Sequence, residues 1–150
     1  MPTFSGSEAF SYPRSFVAGK LSDASFLAAC VADATVRTAT ATEAEWTAKS
    51  PFSFTGGTIA TTLTVVEHHS GERLRLNLVN RTAGASLHVT CEMRFGETGV
   101  DWSAEIVSRT GLLKIVPMSV LTAQVEKALL ELWADIRVKL AEAFGQPHST

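Results

Sequence analysis

The sequence predicts an α+β fold, a curved antiparallel sheet of about seven strands wrapped on one long C-terminal helix, with two short helices after the first strand. Three observations carry this. From Thr35 to Arg109 apolar residues recur with a period of two, which is how strands with one buried and one wet face read. From Pro117 to Gly145 the spacing changes to three and four, the pattern of a single amphipathic helix. No linker, internal repeat or shift in composition divides the 150 residues, so one domain over 1–150 is expected.

Each element has its own local signal. Phe4 to Tyr12 alternates loosely and is read as the first strand. Pro13 suits a helix's first turn, where its missing N–H removes no bond, and Phe16, Val17 and Leu21 then supply an apolar stripe. Ser22-Asp23 offers a cap for a second short helix carrying Phe26, Leu27 and Cys30 on one side. Among the strands, Ala44, Trp46 and Ala48 alternate with Glu43, Glu45 and Thr47. Ile59, Thr61, Leu63 and Val65 lead to the turn signal Ser70-Gly71, and Leu74, Leu76 and Leu78 alternate with Arg73, Arg75 and Asn77. Leu87, Val89, Cys91 and Met93 alternate with His88, Thr90, Glu92 and Arg94. Past Gly96–Gly99, Val100, Trp102, Ala104 and Ile106 oppose Asp101, Ser103 and Glu105. The long helix is expected to bury the stripe Leu121, Val125, Leu129, Leu132 and Ile136; about 27 residues would reach roughly 40 Å, enough to cross a sheet. The tail Gln146–Thr150 reads as frayed.

Composition excludes several classes of function. Apolar residues at 45% and charged residues at 19% rule out a disordered or collagen-like chain. Thirteen Lys and Arg stand against fifteen Asp and Glu, a net of −2 with no long basic run, so no nucleic-acid partner is expected. Two cysteines, Cys30 and Cys91, make neither a disulfide scaffold nor a zinc site; both are expected as free thiols in a reducing, cytoplasmic setting. Met1-Pro2-Thr3-Phe4 lacks a basic and then apolar leader, so no secretory signal is expected. No stretch approaches the ~20 apolar residues that span a bilayer.

Candidate chemistry is sparse. Glu43 and Glu45 share a strand face with Thr47 and Lys49 and read as a solvated edge. His68 and His69 are adjacent on a strand, point to opposite faces and cannot chelate one metal together without a bulge or turn; they read as an exposed hairpin end. His88 falls on the polar face and reads as solvent-facing. No G-x-S-x-G elbow surrounds any serine, and Cys91 lies among apolar neighbours, where burial keeps a thiol inert. Gly56-Gly57 lacks the Lys-Ser/Thr of a phosphate loop and reads as a bulge or a turn into the next strand. The sequon Asn80-Arg81-Thr82 carries no meaning in a cytoplasmic chain. No catalytic residue, metal or cofactor is therefore assigned.

The order of elements resembles the helix-grip, or START-like, superfamily, to which Bet v 1-like proteins belong. Within it, Leu21-Ser22-Asp23-Ala24-Ser25-Phe26-Leu27-Ala28-Ala29-Cys30-Val31-Ala32-Asp33 is similar to the L-x-D-x-x-x-L-A-x-C-I-P-G stretch of the CoxG-like proteins associated with carbon monoxide dehydrogenase. The long helix after Gly111-Leu112-Leu113 is similar too. Where that family has Pro-Gly, this chain has Ala32-Asp33, and Ala18 stands where a Trp is common. The resemblance implies an elongated apolar cavity between sheet and helix that holds a hydrophobic small molecule of the lipid, quinone, isoprenoid or polyketide-like class without reacting it. It further implies an accessory role beside a molybdenum hydroxylase. A cyclase, dehydratase or hydrolase of the same superfamily and a protein-interaction module are the alternatives, and a peripheral membrane contact or a protein partner is left open. The expected wall is Trp46, Leu63, Leu76, Leu78, Leu87, Val89, Cys91, Met93 and Trp102 from the sheet. Met118, Leu121, Val125 and Trp133 are expected to face them from the helix. The apolar stretch Gly111–Met118 reads as a buried connection, a cavity mouth or a contact surface.

Overall fold

A computed structural model describes residues 3–49, 57–69 and 71–145. The chain runs β1 (Thr3–Ala9), α1 (Arg14–Leu21), α2 (Ala24–Cys30), β2 (Thr35–Ala39), β3 (Glu43–Lys49), β4 (Thr58–His69), β5 (Arg73–Thr82), β6 (Ala85–Phe95) and β7 (Gly99–Gly111). A 3-10 turn (Leu112–Ile115) then leads into α3 (Met118–Phe144). All seven strands form one sheet in the order β1-β7-β6-β5-β4-β3-β2, each neighbouring pair antiparallel. The first strand stops at Ala9, three residues short of the alternating run. Phe10 adds one more bond, from its N–H to the Thr98 carbonyl at 2.9 Å. Phe10 and Tyr12 then turn their rings toward Trp133 and Phe144 of α3.

Local chemistry sets the helix ends. Pro13 and Pro117 occupy the N-caps of α1 and α3, where a missing N–H leaves no bond unmade. Asp23 caps α2, its carboxylate accepting from the Ser25 N–H at 3.0 Å and the Ser25 hydroxyl at 2.7 Å. Gly57 enters β4 with φ +81, a turn into the strand; its neighbour Gly56, like Ser70 and the tail from Gln146, lies outside the described residues.

The sheet curves because three strands carry an extra residue. Arg37, Val66 and Val107 have no partner across the ladder, and such bulges bend a strand and sharpen its twist. They also account for two exposed valines, since the inserted Val66 and Val107 fall out of the alternation onto the surface. On the concave side the strands bury an almost unbroken apolar face from Phe4 to Ile106.

The helix is held to this face at both ends. Near its C-terminus Arg137 donates to the Glu8 carboxylate at 2.9 Å and to the Ala9 carbonyl at 3.0 Å, with its guanidinium 4.7 Å from the centre of the Phe10 ring. Beside this clasp Trp133 stacks on Trp102, ring centres 6.2 Å apart, and the Trp102 ring lies so close to Gly6 that a Cβ there would sit 2.9 Å from it. At the other end Arg109 donates to the carbonyls of Leu113 and Val116 at 3.0 and 2.6 Å, fixing the 3-10 turn from which the helix departs. Leu112 and Ile115 of this turn are exposed, so only Leu113 makes it a buried connection.

The buried stripe of α3 is Leu121, Val125, Trp133, Ile136 and Leu140. Leu129 and Leu132, expected in the same stripe, are only half-buried. Between Val125 and Trp133 the helix stands off the sheet. Leu121→Ala should therefore cost about 2–5 kcal/mol, the usual loss at a fully packed leucine. Leu129→Ala should cost less than half of that, because its side chain already borders empty space. Urea denaturation of the two variants side by side checks the contrast; equal losses would place Leu129 in the packed core.

Candidate functional site

The stand-off of α3 leaves a cavity of about 390 Å³ that is open to solvent along one side. Its floor comes from the inward positions of four strands: Trp46 of β3, Ile59 and Thr61 of β4, Leu78 and Asn80 of β5, and Leu87 and Val89 of β6. Val125, Ala128, Leu129 and Leu132 of α3 form the roof. The exposed members of the wall, Ala32, Asp33, Lys49 and Glu131, mark the mouth, which opens between the α2–β2 turn, the end of β3 and the middle of α3; half-buried Asp135 stands beside them. A second void of about 20 Å³ adjoins it through Val31, Trp46, Leu78, Leu129 and Leu132, and continues to Leu63, Leu76, Cys91, Met93 and Trp133. The two share one side of the helix and one half of the sheet.

Of the thirteen residues expected in the wall, Trp46, Leu78, Leu87, Val89 and Val125 line the large cavity. Leu63, Leu76, Cys91, Met93 and Trp133 join Trp46 and Leu78 around the small one. Trp102, Met118 and Leu121 border neither. Trp102 is held between Gly6 and Trp133, and Leu121 is packed at the start of the helix, where the roof is already down on the sheet.

The sequence reading missed the cavity's polar centre. Thr61, a buried polar residue of the core, donates its hydroxyl to Asn80 Oδ1 at 2.8 Å, and Asn80 Nδ2 donates to the Leu87 carbonyl at 3.2 Å. Thr61 and Asn80 are directly opposed across β4 and β5. The signal was present: Asn80 follows Leu74, Leu76 and Leu78 at the same two-residue step, so it belongs to the inward face. Asp33, Glu131 and Asp135 were also missed, since they lie in a turn and on a helix flank, where strand alternation says nothing.

Asp33 has φ +58, a left-handed conformation that glycine adopts without strain. It occupies the position that is glycine in the stretch this segment resembles. Asp33→Gly should raise stability by about 1 kcal/mol, read as a shift of the urea midpoint at constant m-value.

The remaining candidates sit away from the cavity. His68 and His69 are exposed at the end of β4, with His69 3.3 Å from the Glu67 carboxylate. His88, read as solvent-facing, is instead half-buried between Val79 and the bulge at Val107, and its Nε2 is sealed from water without a hydrogen-bond partner among the described residues. Glu43 and Glu45 remain on the outer face, Glu45 4.0 Å from Arg37. Among the described residues no group of three or more His, Cys, Asp or Glu is arranged to hold a metal, and no helix is long and apolar enough to cross a membrane.

Cys30 and Cys91 are free thiols, both buried. Burial pushes each from its ordinary 9.0 up to about 12; Lys139 pulls Cys30 slightly down, while Asp135 pushes it up and Glu92 pushes Cys91 up. In the unfolded chain they ionise near 9, so the thiols leave stability untouched below that pH, and stability falls as pH rises from there through about 12. Iodoacetamide at pH 8 should label neither cysteine in the native protein and both after unfolding, by intact mass. Fast native labelling of Cys91 would mean that its strand is open to solvent.

An antiparallel seven-stranded sheet curved around a long C-terminal helix, with two short helices between its first two strands, is a helix-grip-like fold. Solved structures share it. A conserved protein from Geobacillus kaustophilus is similar over 95% of this chain and 97% of its own, with a TM-score of 0.80 and 11% identity. CV1439 from Chromobacterium violaceum matches 88% of this chain and 94% of its own at a TM-score of 0.60 and 17% identity. DR_A0006 from Deinococcus radiodurans matches 96% and 99% at 0.55 and 13%. At these identities the likeness is one of fold. No family model matches the sequence, and no curated protein does.

Proposed function

We propose that the protein binds or carries a hydrophobic small molecule in the space between the sheet and α3, without catalysing a reaction on it. The observation that supports this is the cavity of about 390 Å³, within the roughly 300–1,000 Å³ typical of small-molecule sites and at the compact end of that range. A single chain or a small ring system suits that volume. Burial contributes about 25 cal/mol per Å², so a ligand hiding ~300 Å² gains roughly 7 kcal/mol before its binding costs. That corresponds to micromolar affinity at best, suited to a cargo that must be released. The finer reading is a lipid, quinone or isoprenoid ligand and an accessory role beside a molybdenum hydroxylase. It rests on the likeness of Leu21–Asp33 to the stretch found in CoxG-like proteins.

The placement of titratable groups favours a carrier over a cyclase, dehydratase or hydrolase. General acid–base catalysis needs two such groups close together in a partly dry site. Here the carboxylates and Lys49 stand at the mouth, while the thiol in the deeper wall, Cys91, stays protonated up to about 12.

The test is a panel of neutral lipophiles, including a fatty alcohol, an isoprenoid alcohol and a short-chain quinone, read by Tm and tryptophan emission. Trp46 borders both voids, so binding should shift the emission, and Trp46→Phe should abolish most of that shift. Ala128→Phe, which projects a ring into the roof, should weaken binding at least about tenfold while leaving the fold intact. A panel that moves neither signal overturns the carrier reading.

A further inference from the structure

Resting on that reading, we infer that the cavity selects compact ligands whose polar group is an uncharged oxygen or a cation, and discriminates against carboxylates such as fatty-acid anions. Two independent features lead there.

The first is the polar pair inside the cavity. Thr61 spends its hydroxyl hydrogen on Asn80 Oδ1, and Asn80 spends one amide hydrogen on the Leu87 carbonyl. What this pair leaves for a ligand is one N–H donor from Asn80 and the spare lone pairs of the Thr61 and Asn80 oxygens. A ligand hydroxyl satisfies donor and acceptor at once, and a carbonyl satisfies the donor. A carboxylate buried at this depth would find a single neutral donor in the pair, beside lone pairs that repel it, too little to replace its lost hydration.

The second is the charge at the mouth. Asp33, Glu131 and Asp135 line the opening against one cation, Lys49. None of these four takes part in the ion pairs formed among the described residues. The other cations on these turns of α3, Lys127, Arg137 and Lys139, do not line the cavity; Arg137 is paired with Glu8 at 2.9 Å and Lys139 lies 3.8 Å from Glu142. The sequence between Lys49 and Gly57, Ser-Pro-Phe-Ser-Phe-Thr-Gly, carries no charge. A ligand entering here passes a net negative rim, which repels an anion and attracts a cation.

Decan-1-ol, decanoate and decyltrimethylammonium, each below its micelle concentration, test this by displacement of the neutral dye N-phenyl-1-naphthylamine at pH 7.5. In low salt decanoate should bind at least about tenfold more weakly than either of the others. Desolvation penalises both ions, so the preference for the cation over decanoate reads the rim itself. The gap between them should narrow in 0.5 M NaCl, where the screening length is only a few ångströms. It should close to within about threefold in the triple variant Asp33→Asn, Glu131→Gln, Asp135→Asn, whose substitutions are isosteric at two exposed positions and one half-buried position; an unchanged Tm checks that the variant is folded. If all three ligands bind with decanoate equal or tighter, or the triple variant keeps the full gap, the inference is overturned while the carrier reading stands. If the dye and all three ligands fail to bind, the carrier reading falls and takes this inference with it.

Discussion

One helix has to cover a sheet several times its own width, and the rest of the structure follows from how it fails to. Seven strands spaced about 4.8 Å apart make a surface near 29 Å across, whereas a helix with its side chains is roughly 10–12 Å wide. Curving the sheet at the three bulges reduces the mismatch without removing it. The helix therefore settles on one side, where Arg137 clasps β1 and Trp133 stacks on Trp102 of β7. The half built from β3, β4 and β5 is left to α2 and to the flank of α3, and there the inward side chains do not reach the helix. The cavity is the uncovered remainder.

The position of that remainder explains its chemistry. A concave face needs no hydrogen bonds where it is apolar and fully covered, and there β7 carries Val100, Ala104 and Ile106, all buried. Where the cover lifts, a polar side chain can be tolerated only if it is bonded, and Thr61 and Asn80 satisfy each other and the Leu87 carbonyl across the β4–β5 ladder. Charge stays outside this shell. The clasp obeys the same rule, because Glu8 lies on the inward side of β1 but is paired with Arg137 at the sheet's edge.

Periodicity made most of the fold legible and only part of the site. The switch from two to three-and-four separated sheet from helix, and the caps at Pro13, Asp23 and Pro117 placed the helix starts within a residue or two. Alternation names the face a side chain takes, but it is silent about which stretch of that face another element will cover. Trp102, Leu121 and Leu76 therefore looked alike in sequence, though the first two are packed and the third borders a void. The same silence runs the other way for Leu129 and Leu132, whose helical spacing promised full burial. Asn80 continues the two-residue step of Leu74, Leu76 and Leu78 and so turns inward, but it is polar and falls outside the apolar run by which the face is recognised. Bulges are harder still: nothing in the runs around Val66 or Val107 marks the extra residue, and it is the bulge opposite His88 that accompanies its departure from the solvent-facing position that alternation gives it.

The turn at residues 31–34 ties the fold to the mouth. It joins the end of α2, whose Leu27, Ala28 and Cys30 are buried in the core, to the exposed edge strand β2, and it reverses direction through the left-handed backbone of Asp33. Glycine would meet that geometry without strain, so aspartate is held there by the closure of the turn around it. The same geometry sets the carboxylate at the lip of the cavity, which Glu131 and Asp135 of α3 also line. Two separate elements thus contribute like charges to one opening, and like charges there repel one another. An opening lined this way stays hydrated at its rim, while its floor from Trp46 to Val89 is apolar apart from the bonded pair Thr61 and Asn80. A charged lip over a largely apolar floor is what a site needs if a lipophilic molecule is to be taken up from water and given back to it.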